Sequence, residues 1–487
     1  MAISPPQSAE VRTAARLESL RASPLELYAF LSRLPKGADL HSHLGGAIYA
    51  ESYITWAAEA GLCATPALAL TPPPCARPER PPIADALTDA ALYGRLIDAW
   101  SMRHWELSGQ SGHDHFFDVG SRYGLATSGR TGDMLAENAS RAAAGRVSYV
   151  ESMVSPDNGG AAGIAAGVPW TGDLAAMRAA IEPRLSAVVD QSLAFLRSAE
   201  SRKREVLGCA TAAPQPGCRV AVRYLYQVIR SRPPSVVFAQ MLTGLMLASR
   251  PGSPVVGLNL VAPEDGPVSM RDFPLHMAML RFLAPGFPRA RIALHAGELA
   301  PGLVPPDGLR SHIRESVEAG ALRIGHGVDV MYEDDAEALL DEMAARQVLV
   351  EICLTSNDLI LGVRGTEHPL PVYLQHGVPV ALATDDEGIS RTDITQEYWR
   401  AERDYALPYR DLKLMARMSL EHAFVDGASL WRDIRRGVHV DACASASPAA
   451  APAGDCATWL ATTVKGRLQW ALEADLVAFE REQSVAH

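Results

Sequence analysis

Eight short apolar runs, each ending in polar or reactive residues, predict a (β/α)8 TIM barrel. They lie at 38–44, 147–154, 219–228, 255–261, 291–298, 322–328, 348–355 and 379–386. Two further observations point the same way. The segments between the runs carry helical apolar spacing with acidic first turns, as at 307–319 and 334–346. The histidines and carboxylates suited to chemistry fall at the C-terminal ends of the runs, the face where barrel sites gather.

In chain order, Val11, Leu17, Leu20, Leu25, Leu27 and Leu31 recur at helical spacing and predict one or two N-terminal helices. A turn at Pro35-Lys36-Gly37 leads into the first run. Residues 60–145 then form a long insertion, opening with the Pro-rich Thr71-Pro72-Pro73-Pro74, whose position suits a lid or pocket wall. Within it, Ser111-Gly112-His113-Asp114-His115-Phe116-Phe117 either roofs a pocket with two aromatics or starts a helix with packed phenylalanines. Trp100, Met102 and Trp105 read as core or pocket wall. Residues 199–218 are expected to be a Cys-bounded loop. Residues 443–456, rich in Ala, Ser, Pro and Gly, are expected to be a mobile surface loop before a helical tail over 459–481. The expected organisation is thus a helical segment (1–34), one enlarged barrel (35–442, insertion about 60–145), and a low-complexity loop with C-terminal helix (443–487).

Composition excludes several classes. With 48% hydrophobic residues in 487, the chain can bury a core and is not disordered. Its 38 glycines and 34 prolines follow no fixed period, which excludes collagen-like and coiled-coil forms. Forty-five basic against 56 acidic residues give a net charge of −11 without a basic block, against nucleic-acid or anionic-membrane binding. No apolar stretch of about 18 residues is present to span a bilayer. Met1–Pro6 lacks the basic and apolar regions of a secretory signal. Six of the seven cysteines form close pairs, Cys63/Cys75, Cys209/Cys218 and Cys443/Cys456, while Cys353 stands alone in an apolar run. Three disulfides in a periplasmic or secreted protein, or seven free thiols in a cytoplasmic one, both fit; the pairing favours export.

The reactive residues carry the function. Asp39-Leu40-His41-Ser42-His43 ends the first run, and positions i and i+2 of a strand face one way, so His41 and His43 both reach the barrel mouth. His295-Ala296-Gly297-Glu298, Gly325-His326-Gly327 and Thr384-Asp385-Asp386 end the fifth, sixth and eighth runs. A borderline cation such as Zn2+ takes imidazole nitrogens and a carboxylate with one position left open, a set that His41, His43, His295 and Asp385 supply.

This ordered set, with Pro35-Lys36-Gly37-Ala38 before the first histidines and Arg323-Ile324 before Gly325, resembles the adenosine deaminase family of the metal-dependent amidohydrolase superfamily over residues 34–424. Gly257-Leu258-Asn259-Leu260-Val261-Ala262-Pro263-Glu264-Asp265 and Glu351-Ile352-Cys353 are most similar to its growth-factor-like subfamily, whose members are often secreted. The resemblance implies a hydrolytic deaminase of adenosine or a related aminopurine nucleoside, with one Zn2+ per chain on His41, His43, His295 and Asp385. It implies that Glu298, protonated at rest, gives a proton to purine N1. His326 would take a proton from the metal water, and Asp386 would bond N7. Gly46, Ala262, Phe116 and Phe117 are the further substrate contacts expected, with Glu264 and Asn357 as second-tier site residues. A homodimer is what the subfamily suggests.

Two departures bear on substrate. Leu44-Gly45-Gly46 stands where adenosine-specific members carry an acidic residue for the ribose 5′-hydroxyl, and Ala262-Pro263 replaces a glycine whose amide meets N3. 5′-Modified adenosines, adenine-like bases and other aminated heterocycles therefore come into range. The alternatives are another amidohydrolase cleaving a C–N bond, lactone or phosphoester at two metals, or an inactive binding or signalling protein. The first generally needs a bridging lysine on the fourth strand, yet Lys36, Lys203, Lys413 and Lys465 are the only lysines and Glu264 is the only local substitute. The second does not explain why ligands, acid and base are all present. Cytidine-type deaminases are excluded because P-C-x-x-C is absent.

Overall fold

All eight apolar runs form strands in the computed structural model, which describes residues 8–485; the reading of Met1–Pro6 lies outside them. The strands are β1 (Gly37–His43), β2 (Val147–Val154), β3 (Ala221–Ile229), β4 (Val255–Val261), β5 (Arg291–Ala296), β6 (Arg323–His326), β7 (Leu349–Ile352) and β8 (Val380–Leu382). They form one sheet in chain order, each parallel to the next. A bridge between Ser42 and Asp385 closes β8 onto β1, with the Asp385 amide donating to the His41 carbonyl at 2.8 Å. Near-continuous Val, Leu and Ile sequences suit strands that are covered on both faces.

The last two strands are shorter than the apolar runs that announced them. After Ile352 the chain turns into the helix Leu354–Leu361, and after Leu382 it leaves the sheet to carry Thr384, Asp385 and Asp386 across the mouth. The N-terminal region is two helices, Ala9–Leu20 and Pro24–Arg33. They pack on the C-terminal helix Val464–Val485 through Phe30 against Phe479 and through Lys413, which bonds Glu10 at 2.9 Å and Glu480 at 2.6 Å. One hydrophobic core runs from Leu17 and Phe479 into the barrel.

Two local expectations need correction. Residues 199–206 are not loop: the helix Leu174–Val206 runs through them, because Arg, Glu and Lys there are good helix formers and Glu200 pairs with Lys203 one turn on. The tail begins earlier and is broken, with a helix at Gly454–Thr462 and the next starting at Val464. The three cysteine pairs are joined as disulfides, Cys63–Cys75, Cys209–Cys218 and Cys443–Cys456, and Cys353 is a buried free thiol. No helix among the described residues is long and apolar enough to cross a membrane.

The insertion holds a small hairpin (Cys63–Ala64 with Leu70–Thr71) and the helices Ala90–Ala99, Gly112–Tyr123 and Thr131–Ala144. The Gly112–Tyr123 helix is capped by Ser111 Oγ, which accepts from the Asp114 amide at 3.0 Å. It lies against the Leu354–Leu361 helix, and a Cβ at Gly112 would run into the Leu359 carbonyl. That contact sets the helix over the barrel mouth.

Candidate active site

The C-terminal ends of β1, β5, β6 and β8 bring His41, His43, His295, His326 and Asp385 together. His41 Nε2 and His43 Nε2 stand 3.0 and 3.2 Å from His295 Nε2. Asp385 Oδ1 is 3.5 Å from His41 Nε2 and 3.4 Å from His43 Nε2. Ligand atoms of His41, His43, His295 and Asp385 all lie within 4.8 Å of one another. Two other triads, His41/His326/Cys353 and Glu298/His326/Asp385, overlap this group.

What stands behind each ring shows which group suits a cation. His41 Nδ1 donates to Glu351 Oε2 at 2.7 Å, and His295 Nδ1 donates to Asn259 Oδ1 at 2.8 Å. Both rings therefore keep a proton on the outer nitrogen, so Nε2 is the atom each turns toward the centre. His43 Nδ1 meets the Gln227 carboxamide at 2.9 Å. Asp385 Oδ2 accepts from Ser356 Oγ at 2.7 Å, which leaves Oδ1 for the centre. Three imidazoles and one carboxylate so arranged fit a divalent cation of the zinc type.

Electrostatics follow burial and partners. Burial opposes charge on His41, but Asp385 and Glu351 outweigh it and hold its pKa up at about 10. Burial and the neighbouring His41 pull His43 down to about 4, with Asp385 opposing. Burial also pushes His326 down to about 3. Glu298 goes the other way: burial, then the charges of Asp385 and Glu264, raise its carboxyl well above the usual range. Asp386 is likewise raised, by burial and then by Asp385.

A cavity of about 230 Å³ opens beside these groups, lined by Phe116, Phe117, Ala262, Glu298 and Asp386 among others. Phe116 and Phe117 thus both pack within a helix and wall the cavity, so the two readings of that segment coincide. Gly46 is not among the residues that line the cavity. A Cβ there would fall inside the Asp386 carboxylate, so the glycine makes room for Asp386. Three non-glycine residues at this face, Ala262 (φ +98°), His326 (+70°) and Asp385 (+55°), hold left-handed backbone, the kind of strain that concentrates at functional sites.

The adenosine deaminase family model matches residues 125–438, well over half of the chain. The chain belongs to the adenosine deaminase family. The adenosine deaminase of Escherichia coli (strain SE11) is 39% identical over 145 residues, 28% of this chain, and the match spans only 40% of that relative's length. Among solved structures, the fold resembles an adenine deaminase from Arthrobacter aurescens (TM-score 0.52, 18% identity, 80% of this chain and 94% of that one). It also resembles an N6-methyl-AMP deaminase from Arabidopsis thaliana (0.53, 18%, 84% and 96%) and a zinc-bound amidohydrolase from Burkholderia ambifaria (0.53, 18%, 95% and 95%).

For this family member, sequence reasoning missed the residues behind the rings. Glu351 joins His41 to Arg323 Nε (2.6 Å), and Arg323 in turn meets Glu151 at 2.6 Å; all are fully buried. Their signal was a charge inside an apolar strand, as with Asn259 and Gln227 for polar groups. The second-tier residues found their places. Glu264 accepts from the Gly297 and Glu298 amides at 3.1 and 3.0 Å and from His312 at 2.6 Å, so it fixes the backbone of Glu298. Asn357 bonds His326. Lys36 donates to three backbone carbonyls, and the other lysines pair with Glu200, Glu480 and the Glu421 carbonyl. None is placed to bridge two metals at β4.

Proposed function

We propose that the protein is a zinc-dependent hydrolytic deaminase of adenosine or a related aminopurine, releasing ammonia. The observation that carries this reading is the convergence of His41, His43, His295 and Asp385 beside a buried Glu298, whose carboxyl burial and the Asp385 charge hold well above the usual range. His41, His43, His295 and Asp385 would hold one Zn2+, which when bound supplies a nucleophile at neutral pH by lowering the pKa of water. Glu298 acts as the acid. It gives its proton to ring N1, which draws electrons away from C6 and opens that carbon to attack. Glu264 holds the Glu298 backbone and so aims that proton. Asp386, also kept protonated, donates to N7 and fixes the plane of the ring. Phe116 and Phe117 cover the base and exclude water, and Ala262, which also lines the cavity, would offer its amide. Among the described residues His326 Nε2 has no hydrogen-bond partner and is free to bind the attacking oxygen.

The sugar side is left open. No acidic side chain follows His43, so recognition rests on the base, and a free base or 5′-modified nucleoside is a substrate class on the same footing as adenosine. The test is ammonia release by the zinc-loaded protein over adenosine, 2′-deoxyadenosine, adenine, 5′-substituted adenosines and guanine-type bases. Glu298→Gln should keep zinc and lose turnover; undiminished turnover in that variant would remove Glu298 as the acid.

A further inference from the structure

The direction of a hydrogen bond to an isolated imidazole is ambiguous, but a backbone N–H at the end of a chain of contacts fixes it. The Leu370 amide can only donate, and it donates to His368 Nδ1 at 3.1 Å. His368 Nδ1 is therefore bare, and the neutral ring carries its proton on Nε2. That Nε2 lies 3.1 Å from Asn357 Oδ1, the acceptor it requires. The same carboxamide then turns its NH2 toward His326, and Nδ2 donates to His326 Nδ1 over 3.0 Å. His326 Nδ1 is an acceptor, so the proton of this ring sits on Nε2. His368, Asn357 and His326 are 2%, 0% and 0% exposed, and no competing solvent can reverse the chain. His326 Nε2 itself has no hydrogen-bond partner among the described residues and stands 3.6 Å from Glu298 Oε1.

Two of the metal-facing rings are wired in the opposite sense. Behind His41 and His295 stand acceptors, Glu351 and Asn259, which hold a ring proton on Nδ1 and turn Nε2 toward the cation site. Behind His326 stands a donor. His41 and His295 are thus set by their partners to offer Nε2 to a cation, and His326, close to both, to offer an N–H to the same centre.

We propose that the Leu370 amide, His368 and Asn357 form a one-way relay that fixes His326 as its Nε2–H tautomer, making His326 a hydrogen-bond donor to the attacking oxygen and not its base. The assignment of the oxygen rests on the deaminase reading; the tautomer does not. This replaces the expectation that His326 takes a proton from the water. Glu298 then balances the reaction alone. Its carboxyl gives one proton to N1, and its carboxylate takes one from the water as the hydroxyl bonds to C6; it then gives that proton to the amino group as the C6–N bond breaks and ammonia leaves, and takes the hydroxyl proton as C6 becomes a carbonyl, which returns Glu298 to its starting state. His368 and Asn357 are positioning residues.

The test uses the full chain with ring-15N-labelled histidine, zinc-free and zinc-loaded, with His326 and His368 assigned by signal loss in His326→Gln and His368→Gln. The expected spectrum shows both rings with bare Nδ1 and protonated Nε2. A protonated Nδ1 on His326 overturns the relay whether or not any substrate is deaminated. A second arm uses Asn357→Asp, whose carboxylate only accepts and so calls for Nδ1–H. It should retain zinc and KM while kcat falls at least ~100-fold, since a wrong-tautomer histidine elsewhere costs up to ~10⁴. Wild-type kcat in Asn357→Asp would also overturn the proposal. Failure of every substrate with an intact tautomer pattern would strike the deaminase reading and spare the relay.

Discussion

Glu351→Gln probes the support of the metal site most sharply. The Glu351 carboxylate accepts from His41 Nδ1 at 2.7 Å and from Arg323 Nε at 2.6 Å, and all three groups are fully buried. The amide keeps shape and one acceptor but removes a charge that both neighbours use. Removing one partner of a buried ion pair costs about 3–5 kcal/mol, and we expect the lower end, about 3 kcal/mol, because Arg323 keeps Glu151 at 2.6 Å. The effect on the cation is separate. A weakened partner behind a metal-ligating imidazole typically costs about 10–100-fold in metal affinity, or roughly 1.4–2.7 kcal/mol. Glu151→Gln is the control, since it removes a charge from the same Arg323 without touching His41. Urea unfolding should show both variants destabilised, while chelator competition should show zinc affinity lowered in Glu351→Gln and within about 3-fold of wild type in Glu151→Gln. Unchanged zinc affinity in Glu351→Gln, or an equal loss in both, would refute the reasoning.

Other outcomes follow from the same geometry. Glu298 has a raised pKa, so it stays protonated where an ordinary glutamate is ionised; ammonia release should fall on the alkaline side as that proton is lost, and a rate still rising through that limb would contradict the assignment. Gly46→Ala should displace Asp386 and cut kcat by at least ~10-fold with zinc content unchanged, checked by kinetics and elemental analysis. The lid helix is tied to the barrel by His113 Nε2 and Asp265 Oδ1 at 3.0 Å, and Asp265 holds the ring's pKa up at about 9. That tie is complete below the ordinary value near 6.5 and is lost as pH climbs through about 9, so amide exchange over 112–123 should accelerate there more in wild type than in His113→Asn. Thiol titration of the unfolded, non-reduced protein should count one thiol, Cys353; seven would contradict the three disulfides.

The barrel was legible because its strands are buried on both faces and read as plain apolar runs, and 147–154 and 255–261 matched β2 and β4 at both ends. The ends of β7 and β8 were not, since hydrophobicity continues past the point where the chain leaves the sheet to place Asp385 and Asp386. The metal set was legible through i, i+2 spacing and strand-end position. Glu351, Asn259 and Gln227 were hidden because each pairs with a ring from another strand, a register that only the closed sheet defines. The fit of Gly46 to Asp386 was hidden because it lies in what the glycine leaves empty, and the residue that fills the space comes from far along the chain. The relay through His368 depends on one backbone amide, Leu370, which no pattern of residue types encodes.

Ammonia release measured against bound zinc tests the central claim most directly. The account predicts about one zinc per chain, turnover of at least one aminopurine in proportion to zinc content, and none after chelation. Two tightly held metals, or zinc-loaded protein that releases ammonia from no member of the aminopurine panel, would contradict it.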